Sequence, residues 1–117
     1  MFVKDMKFPL LLDVYGSLLT ERKRELLDYY YNEDYSLAEI AELTGLTRQG
    51  VRDGIKKGEE ELYALEEKLG AAAAAVERSR LLDEIACVLE DLNERRPDGA
   101  LDAALQKLAA LRAKEKE

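Results

Sequence analysis

Residues 36–51 read SLAEIAELTGLTRQGV, two short amphipathic segments on either side of a Thr-Gly-Leu corner. Ser36 and Glu39 stand at the spacing of a capping box, in which the hydroxyl takes one free amide and the carboxylate reaches back to another. The helix they open turns Leu37, Ile40, Ala41 and Leu43 inward at three- and four-residue steps. Gly45 falls where a helix ends in a left-handed residue, a conformation that costs glycine little. Thr47 caps the next helix, whose expected buried line runs Val51, Ile55, Leu62, Leu65 and Leu69. This is the pattern of a helix-turn-helix.

In such a corner the first helix braces and the second presents its outer face to a groove. Stepping about 100° per residue from Val51, that face holds Gln49, Arg52, Asp53 and Lys56. Arg48 stands at its start and Lys57 on its flank. Arginine and glutamine can make paired hydrogen bonds to guanine and adenine. The same corner is also a compact way to pack two helices, so a protein-binding or purely structural role stays open.

The formal charge of −7 opposes a nucleic-acid role, but it is uneven. Residues 1–58 hold nine Lys/Arg against ten Asp/Glu, and residues 59–117 hold nine against fifteen. Local potential near the corner therefore matters more than the total.

The rest of the chain also reads as helix. Phe8, Leu11, Leu12, Tyr15, Leu18 and Leu19 recur at helical spacing, with Pro9 suited to a first turn. Thr20 caps a second helix carrying Leu26, Leu27, Tyr30 and Tyr31, which Asn32-Glu33-Asp34-Tyr35 breaks. The alanine run 71–75 either continues the long helix past Gly70 or starts another. Leu81, Ile85, Val88 and Leu92 repeat at four-three-four spacing, with Leu82 and Leu89 widening the stripe. Arg96-Pro97 stops that helix. Asp98 is the expected cap of a last helix with Leu101, Leu105, Leu108 and Leu111. The fold class is all-α: a helix-turn-helix domain over 1–69, with a long second helix, then an acidic helical segment over 70–117. A two-helix tail with wide leucine stripes must bury them against something. A homodimer through the C-terminal half is expected, with back-folding onto the first domain as the other choice.

Three features carry a functional and a structural reading. Gly50, Gly54 and Gly58 form a smooth strip at four-residue spacing, each costing about 1 kcal/mol against alanine in a helix. It could admit a partner's backbone, but tight packing or a tolerated weakness is the simpler account, and tolerance is the expectation adopted. Arg22-Lys23-Arg24 could touch phosphates, yet a mixed-charge run reads more simply as solvated surface. Tyr29, Tyr30, Tyr31 and Tyr35 could stack on bases, yet their place between two amphipathic helices points to the core.

Catalysis is not expected. The chain has no histidine, the usual proton carrier near neutral pH. Cys87 stands alone, so neither a disulfide nor a thiolate metal site can form within one chain. No cofactor and no metal are expected. No apolar run approaches the ~18 residues of a membrane span, and Met1-Phe2-Val3-Lys4-Asp5 has an acid where a signal peptide would be apolar. The expected compartment is the cytoplasm.

The stretch LLDVYGSLLTERKRELLDYYYNEDYSLAEIAELTGLTRQGVRDGIKKGEEELYALEEKL, residues 11–69, resembles the bacterial YlxM family. The LLT segment, the YYYNEDYSLAEIAE run, the TRQGV corner and IKKGEEEL carry the likeness. The corner is also similar, more distantly, to the promoter-reading C-terminal domain of sigma factors (sigma factor region 4). The resemblance implies a sigma-like helix-turn-helix, no catalytic residues, and a regulatory link to the signal recognition particle pathway. It carries over Thr47, Arg48 and Gln49 as positions able to face a ligand, and Val51 and Ile55 as structural ones. With Arg52, Lys56 and Lys57, the candidate nucleic-acid-binding set is Thr47, Arg48, Gln49, Arg52, Lys56 and Lys57. The partners expected are DNA or RNA, and possible signal recognition particle components. An adaptor binding the protein or RNA of that particle, without sequence-specific DNA contact, is the alternative.

Overall fold

A computed structural model describes residues 4–97 and 99–115. Along them six helices follow one another: α1 (Lys7–Tyr15), α2 (Glu21–Tyr31), α3 (Leu37–Thr44), α4 (Arg48–Leu69), α5 (Ala71–Arg95) and α6 (Asp102–Glu115). A 3₁₀ turn, Gly16–Leu18, joins α1 to α2. No strand occurs among the described residues. The fold is all-α, as the periodicity requires.

The helices α2, α3 and α4 each start on a capping side chain. Thr20 Oγ1 accepts the Lys23 N–H at 3.3 Å, and Thr47 Oγ1 accepts the Gly50 N–H at 3.0 Å. Each such cap contributes about 1 kcal/mol. The last expected cap, Asp98, lies outside the described residues. Gly70 adopts φ 61° and ends α4, so the alanine run starts a new helix rather than extending the old one.

The chain divides into two compact units, residues 1–72 and 73–117. In the first unit α4 is the central element, packed by α1, α2 and α3. Leu26, Leu27, Ile40, Val51, Ile55 and Leu62 are all but completely buried there, each contributing about 1.5–3 kcal/mol relative to exposure. The tyrosines belong to this core rather than to a stacking platform. Tyr30 is buried, and ring centres lie 5.1 Å apart for Tyr30–Tyr31, 5.7 Å for Tyr29–Tyr35 and 5.9 Å for Phe8–Tyr31.

Some spacing-based expectations fail. Leu43 is exposed, because α3 is only eight residues long and buries little beyond Ile40. Leu69 is exposed, standing in the last position of α4 before Gly70 turns the chain away. Leu18 is exposed because α1 stops at Tyr15 and the 3₁₀ turn rotates it out of the helical register.

Polar contacts also join distant parts of the first unit. The Tyr15 hydroxyl donates to Glu66 Oε1 at 2.6 Å and accepts the Ala71 N–H at 2.9 Å, while the Ala72 N–H donates to the same Glu66 oxygen at 3.0 Å. This clasp satisfies amides at the start of α5 that a helix leaves open. On α4, Glu59 accepts the Tyr31 hydroxyl at 3.0 Å. Burial, first, and then the Asp5 and Glu60 charges push the Glu59 carboxyl above its ordinary range, against the Tyr31 hydrogen bond and Lys7.

The glycine strip is not a tolerated weakness. A Cβ on Gly54 would lie 2.5 Å from Leu26 Cδ1; one on Gly58 would lie 2.8 Å from Leu27 Cδ1 and 3.3 Å from its Cγ. Both leucines are fully buried, so the glycines are where α2 and α4 approach each other. Gly50 differs, meeting its own cap, Thr47 Oγ1, at 3.2 Å and no residue of α2. Replacing Gly58 by alanine gains about 1 kcal/mol of helix propensity but overpacks a closed contact at about 1–3 kcal/mol. Gly58→Ala should therefore lower stability by up to about 2 kcal/mol in chemical denaturation, and a higher midpoint would refute the packing role. For Glu59, the raised pKa means that ionisation costs the folded state above that pKa. The cost is relieved as pH falls through the raised range. Glu59→Gln keeps an acceptor for Tyr31 and should raise the melting temperature at neutral pH, with an advantage that shrinks on acidification. A pH-independent difference between the two proteins would count against the buried charge.

Candidate nucleic-acid interface

The corner between α3 and α4 is built from local hydrogen bonds. Glu39 N–H donates to Ser36 Oγ and Ser36 N–H donates to Glu39 Oε1, both at 3.1 Å, completing the capping box. Gly45 takes φ 76° and its N–H returns to the Ala41 carbonyl at 2.9 Å. The Thr44 hydroxyl donates to the Ile40 carbonyl at 2.8 Å. Ile40, Val51 and Ile55 are all fully buried, which fixes the rotation of α4 about its axis.

That rotation leaves Thr47, Arg48, Gln49, Arg52, Lys56 and Lys57 all exposed. Arg48, Arg52 and Lys56 recur every four residues, forming one ridge about 12 Å long at 1.5 Å per residue. Lys57 stands apart on the other flank by the same stepping. Thr47 and Gln49 are among the members engaged within the chain. The Thr47 hydroxyl serves as the helix cap, and the Gln49 amide donates to Asp53 Oδ1 at 2.9 Å. Gln49 must leave Asp53, or share it, before it meets a base edge. Leu43 and Leu46, at the end of α3 and in the corner, are also exposed.

Charge along α4 is polarised. Arg48, Arg52, Lys56 and Lys57 against Asp53 make its first half cationic, whereas residues 59–69 hold five carboxylates and Lys68. Residues 70–117 carry ten Asp/Glu against eight Lys/Arg, so most of the acidity of the C-terminal half belongs to the back of α4. The helix dipole places its positive end at the cationic half as well.

Two members of the second cationic run are drawn to carboxylates of the chain itself. Lys23 Nζ is held by Glu61 Oε1 at 2.5 Å. Arg24 lines an open cleft of about 520 Å³ with Asp13, Glu21, Glu25 and Asp28, a lining that repels phosphate. Among the described residues no three acidic or thiol side chains converge as a metal cage would require. Among the same residues no helix is long and apolar enough to cross a membrane.

A family model described as "Putative helix-turn-helix protein, YlxM / p13 like" matches residues 2–98. The match runs well past residue 69, so the likeness extends through α5. The UPF0122 protein of Symbiobacterium thermophilum is 47% identical over 112 residues, covering 95% of this chain and 98% of its own length. The UPF0122 protein of Thermoanaerobacter sp. strain X514 is 42% identical over 100 residues, 86% of each chain. That of Acetivibrio thermocellus is 61% identical over 61 residues, 52% of each chain.

Proposed function

Since the chain belongs to the YlxM/p13-like family of helix-turn-helix proteins, we propose that it binds nucleic acid as a regulatory protein through the first half of α4. The family is one of helix-turn-helix proteins and not of enzymes. The observation that carries the reading is the exposed Arg48–Arg52–Lys56 ridge on a helix whose rotation the corner fixes. In this reading Arg48, Arg52 and Lys56 bind phosphates or guanine edges, and Gln49 reads a base once released from Asp53. Thr47 and Lys57 contribute at the margins. The acidic back half of α4 keeps the rest of the helix away from the phosphates, so only about three turns engage. A homodimer would present two such corners to two half-sites, gaining affinity that one short ridge cannot supply. The compartment of action is the cytoplasm.

The signal recognition particle pathway is the setting that the family resemblance suggests for this activity. The alternative is an adaptor that binds the protein or RNA components of that particle. The exposed carboxylates Glu60 and Glu67 on the back half of α4 favour it, as they suit a basic partner better than a duplex. Capture of partners from lysate with and without nuclease separates the two: a partner that survives nuclease supports the adaptor.

Binding of duplex DNA or structured RNA should be weak and should fall with salt. Arg48→Ala with Arg52→Ala should weaken it at least tenfold at low salt and flatten the log–log salt slope by about 2, one per lost phosphate contact. Circular dichroism should show the fold intact, as both side chains are exposed. Unchanged affinity in the double variant, or no binding at low salt, removes α4 as the reader.

A further inference from the structure

The second unit, residues 73–117, has almost no interior of its own. Ala86 is the one buried residue among those described in it. α6 lies against the side of α5 that carries Ala86 and Glu90, with Leu82 and Leu89 half-buried on that helix. Ala86, Leu105 and Leu108 line the groove between the helices, and Arg112 pairs with Asp83 at 2.8 Å. Leu81, Ile85, Val88 and Leu92 stand about a quarter-turn away by helical stepping, and are 43%, 49%, 61% and 47% exposed. Because α5 and α6 are joined as a hairpin, their residue order winds in opposite senses when viewed from one end. Leu111, also exposed, therefore falls on the same face as the α5 stripe, as does the Arg78–Glu115 pair. Asp83 and Arg112 mark the opposite, polar face.

The hairpin thus has two seams on α5, roughly a right angle apart, and only one is filled. That is how a helix of a four-helix bundle is dressed, with one neighbour on each of two adjacent sides. We propose that a second copy of this chain fills the other seam, the two hairpins stacking apolar face to apolar face as a four-helix bundle. The inference deepens the homodimer element of the function proposed above, by naming the surface.

Three observations select a second copy as the occupant. The rim carries little net charge, three arginines meeting four carboxylates: Arg80 binds Glu77 at 2.5 Å and Glu84 at 2.6 Å, Arg95 binds Asp91 at 3.3 Å, and Arg78 binds Glu115 at 3.2 Å. A two-fold contact sets a patch against its own copy and so needs a rim without excess charge. An anionic surface or a strongly charged partner would need the reverse. The area is also of the right order. Two helices about 10 Å wide, overlapping over the length of α6, offer a face on the order of 400 Å² in projection. Side-chain relief and the longer α5 bring it towards the ~800 Å² per partner of a standard interface. Finally, a piece of 45 residues is near the size at which oligomerisation replaces an internal core.

Sedimentation of the full chain without nucleic acid, from micromolar to about 100 µM, tests the proposal. The expected mass is twice 13.2 kDa. Ile85→Asp with Leu92→Asp should give a helical monomer, since each buries an unpaired carboxylate in the seam. If that variant loses helix, Val88→Ser is read instead. It is a polar change at the most exposed stripe position, outside the α5–α6 groove, and should weaken association at least tenfold. Glu94→Gln, exposed on the polar face by helical stepping, should leave the mass unchanged. The Arg48→Ala, Arg52→Ala protein should remain a dimer, so loss of nucleic-acid binding and loss of self-association are read apart. A wild-type monomer throughout, masses growing beyond two copies, or a dimer indifferent to Val88→Ser would each overturn the proposal. A monomer would point to cover by the chain's own helices or by another protein.

Discussion

Everything in the first unit hangs on two leucines of α2 set into two glycines of α4. Leu26 and Leu27 occupy the space that side chains at positions 54 and 58 would take. This brings the helices closer than branched side chains would permit, and dispersion attraction strengthens as more heavy atoms of the two helices lie at van der Waals distance. The loss of helix propensity at the two glycines, about 1 kcal/mol each, is offset by that packing. The consequence for function is rotational. With its inner face pinned to α2 and to Ile40 of α3, α4 has no freedom to turn, and the ridge at its start is held outward. A reading helix needs a fixed orientation before any contact can be specific.

The legible part of this structure is the local part. Ser36, Glu39, Gly45 and Thr47 make contacts within four residues of themselves, so chain spacing alone predicts them. The exposed cations follow from Val51 and one rotation angle. What the sequence conceals is set by contacts between distant elements. Glycine at 54 and 58 looks like weakness until the leucines opposite are known. Tyr15 and Glu66 are 51 positions apart, and neither carries a local sign of the other. Leu43, Leu69 and the stripe from Leu81 to Leu92 show the converse limit. Periodicity reports which side of a helix is apolar, and only neighbouring elements decide whether that side is covered.

Charge obeys the same division between total and place. A net of −7 looks prohibitive for a nucleic-acid ligand, yet α4 separates its signs along a single axis. At physiological ionic strength exposed charges beyond about 8 Å are largely screened. A phosphate at Arg48 therefore feels little of the carboxylates at Glu66 and Glu67, roughly 27 Å further along the helix. Under the proposed function, the acidic end would disfavour nonspecific lengthwise binding while leaving the tip available.

The Tyr15–Glu66 clasp bears on where this chain can be cut. Glu66 and Tyr15 hold the amides of Ala71 and Ala72, and Ala72 is itself part of the first unit's core. Severing the chain at Leu69, the natural choice from the helix pattern, would strip the tyrosine hydroxyl of its donor and open a hole beneath α4. The autonomous piece must run through the first turn of the following helix. An excised fragment that stops short would report on its own damage, and its ligand affinity would understate that of the intact protein.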